Sequence, residues 1–561
     1  MPYDSEQKLY RLRSCSQMLV SAVFFLILAA SLLVLHSTLY GRSPLFFVLI
    51  SIAAGLAAFE IFSFPASNHW NNLILGQVLL LFLSIRASLF QQFPSSVLGD
   101  DPWYHFSLLL EIARAGHVPA ASRYSDYPGI HVAVVTLAEL SGFDVRTSFI
   151  LTLFSFELVG FAFMFYLAKS VSNRQVAVLS TLLMTILQTS VRWGWWITPT
   201  TIGISLMPVL VYVALFAKPE LSRRYKTIAV LLMCFIILSH TLSTAVLFVL
   251  MAVLYVALRL SGWKAEPGRR RGSVPLGPAL LLLFATASLG YWVLGSRSVE
   301  FIALAVERGL RWNIRRFFAL DVSFPEVVVT RIGADIIQAL AVLGSLLMIS
   351  RLDRNWKRFA LSLGTLSFMG IVVAIQSPAF VEIVPSRWVG FAQLITIPAA
   401  SIALYLVIIL MQRISARGLF LIALISSIAL VNVIAPEASF DSPLATRNNS
   451  FRYALVGSEM SGADFVARVS NGTVLTDEYF RYYPTLYEMD ARALTPDNIP
   501  ANSTHEKELF LLRKYVISGK LPVFTYQAEG YMELPADYEN LLGSSTQWNR
   551  VYSSSTLSCY V

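Results

Sequence analysis

The chain has 561 residues, of which 56% are hydrophobic and only 14% charged, whereas roughly a quarter of a soluble domain is charged. That deficit excludes a soluble multidomain enzyme, a nucleic-acid-binding protein and a disordered chain, because none of these keeps so much apolar side chain out of water. The net charge of +9 divides unevenly: residues 436–561 carry 10 basic and 15 acidic side chains, a balance of −5, which leaves +14 on residues 1–435.

Apolar runs of the length needed to cross a hydrocarbon core of about 30 Å succeed one another through the first 435 residues. Thirteen spans are expected, near 18–38, 45–63, 73–91, 144–168, 175–190, 202–217, 227–240, 242–260, 276–294, 332–350, 359–376, 388–411 and 418–435. The first run exceeds the apolar region of a cleaved signal, so it is read as a retained anchor. With the N-terminus in the cytoplasm, the inner loops collect Lys169, Arg174, Arg223, Arg224, Lys264, Arg269, Arg351 and Arg413, as the positive-inside rule requires. An odd number of spans then places the C-terminal part of this multi-pass cell-membrane protein outside. The Asn-x-Ser/Thr triplets at Asn448, Asn471 and Asn502 fall on that side.

Between spans 3 and 4, an external loop over residues 92–143 contains Gly99-Asp-Asp-Pro-Trp-Tyr-His and, further on, Ser122-Arg-Tyr-Ser-Asp-Tyr-Pro-Gly-Ile-His. Asp100 and Asp101 stand directly at a membrane exit. Pro102 suits the first residue of a helix whose N-terminus the aspartates would cap. The same carboxylates suit two chemical roles: taking a proton from an acceptor hydroxyl, or holding a divalent cation (Mg or Mn) against a phosphate. His105 follows Asp101 by one helical turn, where it could share a proton or metal with it, although a histidine on a helix surface is the commoner case. Tyr127 and His131, with Asp126, could line an acceptor groove, and a turn stabilised by Asp126 accounts for them equally well.

Asp-Pro-Trp-Tyr after an external membrane exit, followed by Tyr127-Pro128-Gly129, resembles the first external loop of the catalytic subunit of oligosaccharyltransferase, including its archaeal form. The resemblance implies a type-C (GT-C) glycosyltransferase fold: a polytopic α-helical membrane protein of about 13 transmembrane helices with a small C-terminal extracytoplasmic α+β domain. It also implies that Asp101, the acid immediately before Pro-Trp, is the catalytic or metal-binding position. The chain departs from the pattern twice. No Trp-Trp-Asp-Tyr-Gly motif follows Pro436, and the stretch between spans 5 and 6, where the family carries a second acidic pair, reads Ser190-Val-Arg-Trp-Gly-Trp-Trp-Ile-Thr-Pro. What remains is the broader superfamily, whose members take a sugar from a polyprenyl-phosphate donor on the external face. Trp193, Trp195 and Trp196 would stack on a sugar ring if they line a cavity, but tryptophan is enriched at every membrane interface.

A second external loop, residues 295–331, reads as an amphipathic helix lying in the headgroup plane. Its Arg308, Arg311, Arg315 and Arg316 suit either a specific lipid phosphate or bulk anionic lipid. Arg387, at the outer start of span 12, matches the general region in which the family has an arginine on the lipid phosphate; an interface anchor beside Trp388 is the ordinary alternative. Glu382 would be a second acid above the bundle, and His240 reads as a hydrogen-bonder in a tight turn. Cys15, Cys234 and Cys559 are too scattered for a disulfide framework or a thiolate metal site. Phosphate-loop, dinucleotide-binding and zinc-protease motifs are absent from the sequence.

The chain divides at 435/436 into a membrane part and a soluble part. In the soluble part Thr473-Val-Leu-Thr is strand-like, Lys507-Glu-Leu-Phe-Leu-Leu-Arg-Lys is helix-like, and Pro496-Asp-Asn and Ser518-Gly mark turns. The functional expectation is transfer of a sugar from a polyprenyl- or dolichyl-phosphate donor to a lipid-linked glycan or surface glycoconjugate, with the bilayer but no nucleic acid as partner. Transfer to protein asparagine is one alternative. A lipid or glycan transporter is another, disfavoured because the acids gather at one surface and only Arg86 falls clearly within a span. A non-catalytic scaffold for surface assembly is the third.

Overall fold

A computed structural model describes residues 2–37, 41–64, 68–120, 124–216, 222–263, 276–296, 298–300, 324–350, 356–376, 385–411, 417–444, 454–469, 472–477, 480–489, 491–494, 508–514, 520–525, 528–533, 550–553 and 557–560. Each of the thirteen apolar runs is helical. In chain order the helices are α1 (Pro2–Leu33), α2 (Pro44–Ser63), α3 (Asn68–Gln92), α4 (Asp100–Ala115), α5 (Gly129–Ser141) and α6 (Val145–Val171). There follow α7 (Arg174–Ile186), α8 (Gln188–Trp195), α9 (Pro199–Phe216), α10 (Ser222–Ser239), α11 (Thr241–Trp263) and α12 (Pro278–Leu294). The bundle closes with α13 (Phe324–Ser350), α14 (Trp356–Ile375), α15 (Pro385–Leu410) and α16 (Arg417–Val433).

Among the described residues nine helices are long and apolar enough to cross a membrane, and α7 with α8, bent by 60°, makes a tenth. The other three expected spans fall on α10, which opens with Ser222-Arg-Arg-Tyr-Lys, and on the shorter apolar helices α12 and α16. The protein is therefore a multi-pass membrane protein. Position in the bundle follows composition: α9, apolar all round, is 89% buried and central, whereas the window of α1 is 28% buried and peripheral.

Expected span 5 breaks at Leu187. The amide exposed there, Gln188 N–H, donates to Asn432 Oδ1 of α16 at 3.2 Å, so the break leaves no orphaned donor at that point. A second difference concerns charge inside the spans. Arg86 of α3 meets Glu157 of α6 at 2.9 Å and also donates to the Ser190 carbonyl and hydroxyl of α8. Glu60 of α2 accepts from Ser21 and Gln77. Carboxylates thus lie within spans 2 and 4, which corrects the expectation that only Arg86 falls clearly within a span; local sequence gives no hint of their partners from other helices. Each has its partners on other helices of the bundle.

Beyond α16 the chain is pinned to the loop before α2: Asp441 accepts from the Arg42 backbone N–H, Nε and Nη2 at 2.7, 2.9 and 2.7 Å. Helices α17 (Gly457–Val469) and α18 (Pro484–Glu488) accompany a sheet of β1 (Thr473–Thr476), β2 (Arg492–Ala493), β3 (Glu508–Arg513), β6 (Arg550–Ser553) and β7 (Leu557–Tyr560), in the order β2-β1-β3-β7-β6. Strands β4 (Lys520–Thr525) and β5 (Ala528–Glu533) form a separate antiparallel hairpin. β1 is the strand expected at Thr473, but the helix expected over Lys507–Lys514 is strand β3. Parallel to β1 and antiparallel to β7, β3 buries Leu509, Phe510, Leu511 and Leu512 on both faces. Such a strand shows a continuous apolar run, which periodicity cannot tell from a buried helix. The turns expected at Pro496 and Ser518 lie outside the described residues.

Candidate functional site

Asp100 and Asp101 lie inside the first turn of α4, not before it. The helix starts at Asp100, its N-cap is Gly99, and no side chain caps it. Pro102 is accordingly the third helical residue and not the first. Gly99 has φ +105°, a conformation open to glycine, and a Cβ there would stand 3.0 Å from Pro102 Cδ and 3.5 Å from Trp196. The glycine therefore sets the entry angle that turns the two carboxylates to the end of the bundle.

There Asp101 Oδ2 accepts from Arg387 Nη2 at 3.1 Å, joining α4 to the start of α15 across 286 positions of sequence. The side chains are 31% and 25% exposed. Arg387 Nη1 also donates to Thr200 Oγ1 of α9 at 3.2 Å and lies 3.5 Å from His240 Nε2. His240, in the break between α10 and α11, has its Nδ1 2.8 Å from Ser243 Oγ. The expected turn role therefore holds for one nitrogen, while the other faces the candidate site.

The Tyr-Pro-Gly segment closes the other side. Gly129 begins α5 where a Cβ would lie 2.6 Å from Ser239 Oγ and 3.1 Å from the Leu238 carbonyl, so only a glycine lets α5 start against the end of α10. This seats Tyr127, whose hydroxyl is 2.8 Å from Ser296 Oγ and also bonds Ser298. Ser298 Oγ is in turn 3.0 Å from Thr241 Oγ1. Burial pushes the Tyr127 phenol above its usual range, so it stays protonated at neutral pH. Asp101, Arg387, Thr200, His240, Thr241, Ser298 and Tyr127 thus form one polar line across the end of the bundle.

Two expected ligand residues sit elsewhere. His105 Nδ1 and His131 Nε2 are 3.0 Å apart, with exposures of 2% and 1%, and the Tyr124 ring lies 4.3 Å from that of His105. One ring donates to the other, so the pair clasps α4 to α5 beneath the site. Burial, with His105 adding in the same sense, holds His131 down at about 3. The tryptophans are divided: Trp195 is buried and donates Nε1–H to the Ala438 carbonyl at 2.7 Å, while Trp196 lies beside Gly99. Arg192 stacks over Trp193 and Trp196. Arg308, Arg311, Arg315, Arg316 and Glu382 lie outside the described residues. Ser298, which precedes those arginines in the sequence, bonds into the polar line. Thr200, Thr241 and Ser298 carried no signal in the sequence, because isolated hydroxyls in apolar helices or loops are common.

For a divalent cation the fit is poor. Among the described residues no three His, Cys, Asp or Glu side chains converge, and the Asp101 carboxylate is already engaged by a guanidinium. A cation of this kind binds through about six oxygen ligands, a large share of them water or carboxylate.

No family model matches the chain, and no curated protein sequence is similar to it. Solved structures are similar. The apo oligosaccharyltransferase of Archaeoglobus fulgidus superposes with a TM-score of 0.51 at 12% identity, over 77% of this chain and 65% of that one. The same enzyme in complex with zinc and sulfate gives 0.50 at 12% identity, over 78% and 68%. ArnT from Cupriavidus metallidurans bound to undecaprenyl phosphate gives 0.49 at 12% identity, over 88% and 98%. The match with the archaeal enzyme spans just under two thirds of that chain's length. The fold is thus the type-C glycosyltransferase fold implied by the first-loop motif.

Proposed function

We propose that this chain is an integral-membrane glycosyltransferase working on the external face. It transfers a sugar from a polyprenyl- or dolichyl-phosphate donor to a lipid-linked glycan or surface glycoconjugate. Residues 1–435 are its catalytic membrane domain and 436–561 its extracytoplasmic domain. The observation that carries the reading is the meeting of Asp101 and Arg387, partly open to solvent, at the end of an apolar bundle. A guanidinium fork fits a carboxylate and a phosphate alike. In the donor-free protein the Asp101 carboxylate stands where the lipid phosphate would bind, and the donor's tail would run along the bundle into the bilayer.

The donor's phosphate displaces the Asp101 carboxylate from Arg387 and so frees it. The acceptor hydroxyl attacks the anomeric carbon as its proton passes to Asp101, and the bond from that carbon to the phosphate oxygen breaks. The charge left on the departing phosphate is neutralised by Arg387, with Arg308, Arg311, Arg315 and Arg316 as further contacts. A phosphate leaving group needs little acid catalysis, so one carboxylate suffices and no step requires a metal.

The test is sugar transfer by purified protein from a panel of polyprenyl-phosphate sugars to lipid-linked acceptors. Asp101→Asn is expected to lose about 10²- to 10⁴-fold in turnover while remaining folded. Full turnover in that variant overturns the assignment. Transfer of a whole glycan to an asparagine peptide would replace it with an oligosaccharyltransferase.

A further inference from the structure

Between α4 and α18 lies an open groove of about 480 Å³ whose lining includes Tyr104, Ser107, Leu108, Glu111, Pro484 and Tyr487. We infer that this groove is a subsite for a neutral saccharide: the part of the acceptor glycan that trails away from the hydroxyl under attack. The inference rests on the transferase reading for its direction, and on the following geometry for its substance.

Tyr104 follows Asp101 by three residues, and Ser107 and Glu111 continue the groove-lining face of α4 from it, beside the buried face that carries His105 and Ile112. At 1.5 Å per residue, Tyr104 is about 4.5 Å and Glu111 about 15 Å along the axis from Asp101. An acceptor whose hydroxyl reaches Asp101 therefore has its next units laid over Tyr104 and towards Glu111. The lining fits a sugar chemically. Tyr104 and Tyr487 meet edge to face at 6.2 Å, and Tyr487 is 52% exposed, leaving aromatic surface for the C–H face of a pyranose. Ser107 and Glu111 supply hydroxyl and carboxylate partners for sugar hydroxyls. Charge argues against an anionic occupant: the cation at the rim, Arg114, is engaged by Glu488 at 2.8 Å, and Glu111 adds negative charge. The volume falls in the range of about 300–1,000 Å³ usual for ligand pockets.

One wall, α18, belongs to the C-terminal part, and Trp103 of α4 packs on Tyr483 at 5.5 Å. The C-terminal part, which has no Trp-Trp-Asp-Tyr-Gly motif, thereby acquires a role: it completes the acceptor site.

The experiment measures binding of neutral di- to tetrasaccharides to the full-length protein in detergent, beside the transfer assay. Tyr487→Ala and Ser107→Trp, the first removing the stacking ring and the second filling the groove, should each weaken binding by about tenfold, the scale of one aromatic contact. Tyr487→Phe, which keeps the ring, should bind as the wild type does. Failure of the wild type to bind any member, or unchanged binding in both Tyr487→Ala and Ser107→Trp, overturns the subsite whether or not Asp101→Asn abolishes transfer. Groove-dependent binding together with full transfer by Asp101→Asn keeps the subsite and removes the transferase mechanism.

Discussion

Arg86–Glu157 and Arg387–Asp101 are the same chemical pair in two settings. The first is sealed inside the bundle, with side-chain exposures of 0% and 6%, and its guanidinium stacks on Phe82. The second stands at the end of the bundle, 25% and 31% exposed. A sealed pair has no access to substrate and stabilises only as a unit, because removing one partner leaves a buried charge alone. A pair at the end of the bundle can exchange its carboxylate for a phosphate at little cost to the fold. Solvent access, rather than residue type, separates a structural arginine from a binding one.

The contrast is sharpest in stability measurements. Arg86→Leu, which strands Glu157, should lower stability by about 3–5 kcal/mol in thermal or denaturant unfolding in detergent, and adding Glu157→Leu should recover a large part of that. A small effect would remove the distinction between the two pairs. Arg387→Ala should behave oppositely. Its stability cost should stay near 1 kcal/mol or below, while the KM for the donor rises by about 10- to 100-fold, the loss of a charge-assisted contact worth about 1.5–3 kcal/mol.

A buried group that titrates gives a further handle. His131 sits near 3 when folded against an ordinary 6.5. Between those values the unfolded chain binds a proton that the folded chain refuses. Stability should therefore be full above about 6.5 and fall as pH drops, by up to about 1.4 kcal/mol per unit. His131→Phe should flatten that slope, measured as melting temperature from pH 7 to pH 4. Smallest of all, Arg114→Ala breaks an ion pair that is 67% and 61% exposed. The expected change is within about 0.5 kcal/mol and disappears in high salt.

Much of the candidate site was visible before the fold. Asp101 came from its place beside Pro102-Trp103 at a membrane exit, and Arg387 from its place at the start of a span. Their pairing was not visible, since no local pattern links positions 286 apart. The histidines were misplaced for the same reason. One turn of helix brings His105 near Asp101 on paper, while α5 brings His131 closer still and buries both. Thr200, Thr241 and Ser298 enter the polar line only because three separate helices and loops end at one level.

By itself, the sequence determined the membrane class, the helical runs and the first-loop motif, because hydropathy and the demand for internally satisfied backbone act over one span at a time. Tertiary structure alone decided which charges are sealed and which face solvent, that Glu508–Arg513 forms a strand, and that α18 closes a groove along α4. Those outcomes depend on which neighbour arrives to cover a side chain, and a neighbour hundreds of residues away leaves no mark on local periodicity.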